Sequence, residues 1–266
     1  MRIKILHKTT YLYNKNVPRL SQSLRLYPTE CKNQSIINWS INVDRGKIKY
    51  LYKDSLGHRT YSLTNKNIEG VQNIIAKGEI ETKDFSGILK GHNEKVSPQC
   101  FIRYSDLTNP SNKIITLSKK INDPKDQVSL CHQLNQISAK SIKYQTDSTS
   151  IYTSASESLE KGRGVCQDFA HILITLARYC GMPARYINGF LYDKNNSITS
   201  SHAWAEIFIE HLGWVGFDPT YHKCTDQNYV RVCAGFDSLD ASTIRGTKTN
   251  YDGDEELMVD VSITEG

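Results

Sequence analysis

Hydrophobic and polar residues alternate along roughly the first 105 residues of the chain. One face of the run at residues 36–43 carries four large apolar side chains: Ile37, Trp39, Ile41 and Val43. This period of two is typical of a half-buried strand. Turn signals at residues 44–46 and 54–57 separate such runs. The pattern predicts a series of antiparallel strands.

A helical period replaces this alternation later in the chain. Asp123 and Pro124 offer an N-cap and a first-turn proline, which predicts a helix from about residue 124. A capping box at Ser154 predicts a short helix that ends at Gly162. The longest predicted helix covers residues 166–180. Its predicted inward face consists of Phe169, Ala170, Leu173, Leu176, Ala177 and Cys180.

Strand-like runs follow the longest predicted helix. They cover residues 184–192, 202–210 and 214–219, with a polar loop at residues 193–201. Helices followed by strands indicate the α+β class. The sequence therefore predicts an N-terminal antiparallel β domain over residues 1–105. A second domain over residues 106–266 should pack a helix on an antiparallel sheet.

Composition and charge restrict the function classes. The 266 residues carry a net charge of +5, and Lys and Arg never form a block of five, so no nucleic-acid partner is expected. The most apolar stretch, residues 169–180, is shorter than the ~20 residues of a membrane span, so no membrane partner is expected. The seven cysteines include no C-x-x-C pair, and the N-terminus lacks an apolar signal run. We therefore expect free thiols and a cytoplasmic location.

Cys166 begins the longest predicted helix, directly after the stretch Gly162-Arg-Gly164-Val. In the first turn of a helix, unpaired backbone N–H groups and the helix dipole favour a thiolate. The glycines leave room for a substrate carbonyl, whose oxyanion could bind the same N–H groups. Cys166 is thus the candidate nucleophile, and the alternative is a small buried core residue.

His202 and Asp218 lie on two runs that the turn at residues 211–213 should join as a hairpin. If the hairpin is centred at residue 210, Asp218 lies directly opposite His202. The carboxylate would then fix the imidazole tautomer and leave the other ring nitrogen facing Cys166. The alternative is a His–Asp hydrogen bond without catalytic chemistry.

A zinc site is the other arrangement open to these three residues, because thiolate, imidazole and carboxylate all bind zinc. No fourth ligand suggests itself, and C-x-x-C spacing is absent. We therefore expect neither a metal nor a cofactor. His171, five residues after Cys166 on the same helix, is expected to be packed or hydrogen-bonded rather than a ligand. Trp204 and Trp214 are expected in the core or the cleft wall.

Four motifs resemble the core of the transglutaminase-like superfamily: Gly164-Val-Cys166-Gln-Asp168-Phe-Ala-His171, Pro183-Ala-Arg-Tyr186, His202-Ala-Trp-Ala-Glu206 and Gly213-Trp-Val-Gly-Phe-Asp218-Pro-Thr220. Two further segments resemble the β-rich N-terminal domain of bacterial members: Leu24-Arg-Leu-Tyr-Pro28 and Tyr52-Lys-Asp-Ser-Leu-Gly57. The resemblance implies a papain-like fold with Cys166 as nucleophile, His202 as acid/base and Asp218 as the orienting carboxylate.

Two positions depart from the family pattern. Where the family usually has Arg and Tyr flanking an aspartate, this chain has Gly235-Phe-Asp237-Ser238. The tryptophan that helps to hold the oxyanion in animal transglutaminases is also absent, since the nearest upstream tryptophan is Trp39. Tyr144 or Tyr152 could take its place.

These residues predict a cysteine-dependent enzyme that cleaves a peptide, isopeptide or other amide through an acyl-thioester. Release to water gives a peptidase or amidase, and release to an amine gives a transglutaminase. We favour hydrolysis, because excluding water from a thioester requires a specialised acceptor channel. A non-catalytic peptide-binding module is the alternative from another class, and the partner of the N-terminal domain is not indicated.

Overall fold

The computed structural model describes residues 1–194 and 201–266. In chain order the strands are β1 (Arg2–Leu24), β2 (Gln34–Val43), β3 (Lys47–Lys53), β4 (Arg59–Thr82), β5 (Lys143–Tyr144), β6 (Arg163–Gly164), β7 (Ala184–Leu191), β8 (His202–Ile209), β9 (Gly213–Asp218), β10 (Lys223–Cys224), β11 (Tyr229–Gly235), β12 (Ile244–Thr249) and β13 (Glu255–Glu265). The helices are α1 (Asn112–Ser118), α2 (Gln127–Ala139), α3 (Ala155–Lys161) and α4 (Cys166–Tyr179), with 3-10 turns at Pro98–Ile102 and Asp106–Thr108. This is the predicted α+β class.

Two long strands, β1 and β4, pair antiparallel at the centre of the first sheet. On the outer side of β4 lie β2 and β3, and on the outer side of β1 lie β12 and β13. The last two strands of the chain thus complete the N-terminal sheet, whereas the predicted division assigned all of 106–266 to the second domain. Without them the long edge of β1 would present unpaired backbone groups.

The predicted apolar face of β2 is only partly present. Trp39, Ile41 and Val43 pack against the buried cluster of the first sheet. Ile37 is 46% exposed instead, because a bulge between Ile36 and Asn38 interrupts the pairing with β4. A one-residue insertion breaks the alternation on which the prediction depended.

The second sheet has the order β10-β9-β8-β7-β11, and α4 packs on β8 and β7. The other three helices pack against α4, so the helix is buried on all sides. The prediction of one inward face was therefore too narrow: Ile172 and Ile174 are as buried as Leu173. The buried residues around α4 hold this helix, which begins with the candidate nucleophile, against the second sheet.

Helix boundaries test the capping predictions. The start of α3 at a Ser154 capping box and its end at Gly162 are confirmed, as is the start of α4 at Cys166. The start predicted at residue 124 was wrong, since α2 begins at Gln127. The side chain of Asp126 accepts a hydrogen bond from the backbone of Ser129, so the cap lies three residues later.

A buried ion network connects the two sheets. Glu206 of β8 accepts hydrogen bonds from Arg185 at 2.7 Å and from Arg231 at 2.8 Å. Burial raises the pKa of Glu206, but the two guanidinium groups outweigh it and lower the pKa to about 2. Arg231 also donates to Thr29, between β1 and β2, at 2.8 Å. The network therefore fixes the second sheet against the first.

All seven cysteines are unpaired in the structure. Within residues 1–194 and 201–266, no helix has the length and apolar character needed to cross a membrane.

Candidate active site

Cys166 is the first residue of α4 and lines a cleft of about 520 Å³ together with His202. As predicted, the thiol lies in the first turn of the helix. It is partly buried there. Helical geometry leaves the backbone N–H groups of Cys166 and Gln167 without an intrahelical acceptor. Those two donors, beside the thiol, could stabilise an oxyanion.

Asp168 fixes the start of this helix. Its Oδ2 accepts hydrogen bonds from the Val165 backbone N–H at 2.8 Å and from the Thr149 hydroxyl at 2.7 Å. A Cβ on Gly164 would lie only 2.6 Å from Oδ2 of this carboxyl group, so any other residue would force the Asp168 side chain or the backbone to shift. Burial raises the pKa of Asp168. The close approach of Asp168 is thus the structural reason for a glycine at position 164, two residues before the candidate nucleophile.

His202 and Asp218 are joined by a hydrogen bond, with Nε2 of His202 2.7 Å from Oδ2 of Asp218. Both side chains are buried. The imidazole also interacts with Cys166. Because Nε2 is bonded to Asp218, Nδ1 is the ring nitrogen that remains for this second contact. The structure therefore brings the three predicted residues together, with His202 between the other two.

The hairpin register differs from the predicted one by two residues. Ile209 pairs with Gly213 and Ala205 with Phe217, so the hairpin is centred at residue 211 rather than 210. Asp218 consequently reaches His202 diagonally and does not lie directly opposite it. An even shift keeps both side chains on the same face of the sheet, which is why the predicted contact forms despite the wrong register.

The protonation of His202 depends on both of its partners. Burial lowers the pKa of this imidazole, but hydrogen bonds with Asp218 and Cys166 outweigh burial and raise the pKa to about 10. The ring therefore holds its second proton at neutral pH, as an imidazolium beside the Cys166 sulfur. A protonated imidazole in this cleft can act as a general acid.

Asp218 has further donors that orient it. Oδ2 also accepts from the Tyr229 hydroxyl at 2.8 Å, and Oδ1 accepts from the Thr220 backbone N–H at 2.9 Å. Burial and the charge of Asp218 raise the pKa of Tyr229, which keeps its hydroxyl protonated as a donor. Sequence reasoning missed Tyr229. It lies on β11, which is not a neighbour of β9 in the sheet, so no local pattern points to it.

Two segments form the walls of the cleft. Residues 144–151 contribute Tyr144 and Ile151, both more than half exposed, and residues 238–243 form a second wall. Of the two tyrosines considered for the missing tryptophan, Tyr144 lines the cleft, whereas Tyr152 is not among the lining residues. The ring of Tyr144 stacks 6.5 Å from that of Phe169 on α4.

His171 is fully buried, as a packed side chain should be. Its Nε2 accepts a hydrogen bond from the Ser238 backbone N–H at 3.1 Å, and burial lowers its pKa to about 4. Trp204 and Trp214 are also buried, and the Trp204 ring lies 6.3 Å from that of His202. Among the described residues, no three His, Cys, Asp or Glu side chains are arranged to hold a metal ion.

Two family models match the chain. Residues 115–219 match the model of the transglutaminase-like superfamily, and residues 3–81 match the model of the bacterial transglutaminase-like N-terminal region. The first match includes Cys166, His202 and Asp218. The second covers most of the two central strands of the first sheet.

The chain is also similar to uncharacterized mycobacterial proteins and to a solved structure. An uncharacterized protein of Mycobacterium leprae is 23% identical over 283 residues, covering 99% of this chain and 98% of that protein. An uncharacterized protein of Mycobacterium bovis is 35% identical over 131 residues, or 45% of this chain and 41% of that protein. The crystal structure of a cysteine protease candidate from Cytophaga hutchinsonii superposes with a TM-score of 0.80 at 20% identity, covering 100% of this chain and 90% of the other. At that identity the likeness shows the fold.

Proposed function

Because this chain belongs to the transglutaminase-like superfamily, we propose that it is a cysteine-dependent hydrolase of peptide or other amide bonds. Cys166 is the nucleophile, His202 the acid and base, and Asp218 the carboxylate that orients His202. The observation that carries the proposal is the bond between Nε2 of His202 and Asp218, which leaves Nδ1 to Cys166.

In the first half of the reaction, the Cys166 thiolate attacks the amide carbonyl carbon and forms a carbon–sulfur bond. The carbonyl oxygen becomes an oxyanion beside the N–H groups of Cys166 and Gln167. The carbon–nitrogen bond then breaks, and the amine leaves with the proton that the His202 imidazolium donates. The acyl group remains on sulfur as a thioester, and His202 is neutral.

In the second half, neutral His202 removes a proton from water as the water oxygen attacks the thioester carbonyl. The carbon–sulfur bond breaks, and the products are a carboxylic acid and the Cys166 thiolate beside an imidazolium. A primary amine in place of water would give acyl transfer. Hydrolysis is supported by the exposure of Tyr144 and Ile151, because a wall open to solvent does not exclude water from the thioester.

The test is turnover of a quenched amide substrate library, with and without a primary amine. We expect Cys166→Ala to abolish turnover and to leave folding unchanged, since it removes the nucleophile and little buried volume. Asp218→Asn should lower the rate by about 10²–10⁴, because the orienting charge and the tautomer are lost while the nucleophile stays.

Each outcome of this test has one meaning. Equal turnover by the wild type and Cys166→Ala, or none by either, contradicts the enzymatic proposal; if peptides still bind, the protein is a binding module. Amine incorporation faster than hydrolysis would assign a transglutaminase instead.

A further inference from the structure

The cleft wall at residues 238–243 has no regular secondary structure of its own. It connects β11 of the second sheet to β12 of the first, and Ser238, Leu239, Ser242 and Thr243 line the cleft. A connecting loop of this kind is ordinarily the more mobile part of a binding site. What holds it in place therefore decides how well the cleft is formed before a substrate arrives.

Arg25, the residue after β1, makes three of the contacts that hold the wall. Its Nη2 donates to the carbonyl oxygens of Asp240 at 2.5 Å and Ser242 at 2.7 Å. Its backbone N–H donates to the carbonyl oxygen of Thr243 at 2.7 Å. The side chain is only partly exposed, so these bonds compete less with water than surface bonds do.

Arg245, the second residue of β12, holds the same segment from the other end. Its Nη2 donates to the carbonyl oxygen of Leu239 and lies 3.2 Å from the Asp240 carboxylate. Four of the five backbone carbonyls at residues 239–243 therefore accept hydrogen bonds from two arginines, one directly after β1 and one within β12 of the first sheet.

Helix α4 and the core around it hold the other side of the loop. Ala241 is fully buried in the core around α4, and the Ser238 N–H bonds to His171 of α4. The wall is thus held by contacts with the core around α4 on one side and with the N-terminal sheet on the other. Neither arginine touches Cys166, His202 or Asp218, so their loss should change the wall and leave the reacting groups in place.

We propose that the N-terminal sheet is part of the substrate-binding site: Arg25 and Arg245 are positioning residues that hold the 238–243 wall for the peptide portion of the substrate. The inference deepens the proposed function and rests on it. A substrate that occupies only the space around the thiol does not use the wall, whereas a peptide that fills the cleft does. Pre-organisation of the wall lowers the cost of binding the longer substrate.

Two electrophiles that alkylate Cys166 separate these cases without requiring turnover. Iodoacetamide is small and needs only the thiol, whereas an acetylated Leu-Leu-Leu vinyl sulfone must also occupy the cleft that Ile151 and Leu239 line. We measure both alkylation rates of Cys166 by peptide mass spectrometry and compare their ratio, peptide over iodoacetamide. An unfolded chain has no cleft and would also lower the ratio, so circular dichroism and the urea unfolding midpoint first establish that each variant is folded.

Arg25→Gln should lower this ratio about tenfold, because the wall loses two bonds from a charged donor. Arg25→Lys keeps one charged donor and should recover part of the ratio. Arg245→Gln tests the other end of the wall and replaces Arg25→Gln should that variant not fold. The matched control is Arg19→Gln. Arg19 is an exposed residue of β1 that pairs with Thr249 and Lys66 outside the cleft.

A ratio within twofold of the wild type in both Arg25→Gln and Arg245→Gln overturns the inference, as does an equal fall in Arg19→Gln. These outcomes differ from failure of the proposed function, which is absence of Cys166-dependent turnover by the wild type. For a substrate that is turned over, the same inference predicts a raised KM with kcat unchanged, a split that a general loss of stability does not produce.

Discussion

Asp218 shows how single side chains build this site. Its carboxylate is fully buried and accepts from His202, from Tyr229 and from the turn that follows it. A buried carboxylate with several donors cannot rotate freely, so the imidazole bonded to it keeps one orientation. The hydroxyl of Tyr229 therefore acts on the chemistry through Asp218 and not by touching a substrate.

Tyr229→Phe removes this hydroxyl and keeps the ring. We expect kcat to fall by about tenfold with KM unchanged, because a hydrogen bond to a charged, buried acceptor is lost while the cleft is untouched. Steady-state kinetics on the substrate found in the library test provide the measurement.

The matched control is Tyr221→Phe. Tyr221 lies edge-on to the His202 ring at 5.6 Å, but its hydroxyl bonds to Asp193 rather than to Asp218. Its kcat should stay within about twofold of the wild type. Equal losses in the two variants would mean that aromatic packing, and not the bond to Asp218, supports His202.

At the scale of elements, the start of α4 depends on the packing of Gly164 against Asp168. We predict that Gly164→Ala lowers the free energy of unfolding by roughly 1–3 kcal/mol, because the added methyl overlaps the carboxyl group. It should also slow turnover by about 10- to 100-fold, since the displaced helix start carries Cys166 with it. Urea unfolding and steady-state kinetics measure the two effects.

Gly162→Ala serves as the comparison for this variant. Gly162 has φ +65°, so alanine is strained there, yet a Cβ would meet no atom within 4 Å. Its unfolding free energy should fall by about 1–2 kcal/mol with turnover preserved. If Gly162→Ala slows turnover as much as Gly164→Ala does, the effect comes from stability alone.

Local signals predicted the elements that carry the site and failed where a contact was distant. The capping box at Ser154 and the glycine at 162 mark the two ends of α3 through bonds within a few residues, so they were recognisable. Asp123 was a misleading cap, because its φ of +35° is incompatible with the extended backbone of an N-cap residue. The hairpin register was wrong by two residues because the turn type was unknown, yet the shared face was right.

At the scale of the whole molecule, the last strands of the chain join the sheet that its first strand begins. Strands β12 and β13 pair with β1, more than 200 residues earlier, and this pairing carries the 238–243 wall across the cleft. No periodicity in the sequence specifies which distant edge a strand joins, so both the pairing and the wall were missed. The same topology gives the N-terminal sheet its place beside the candidate active site.

The central claim is that His202 activates Cys166, and competitive alkylation at neutral pH tests it most directly. Limiting iodoacetamide, read by peptide mass spectrometry, compares Cys166 with Cys100, which is exposed and lies outside the cleft. We predict that Cys166 reacts about tenfold faster than Cys100 or more, despite its partial burial, and that His202→Ala removes this advantage. A Cys166 that reacts no faster than Cys100, or whose rate is unchanged in His202→Ala, would contradict the account.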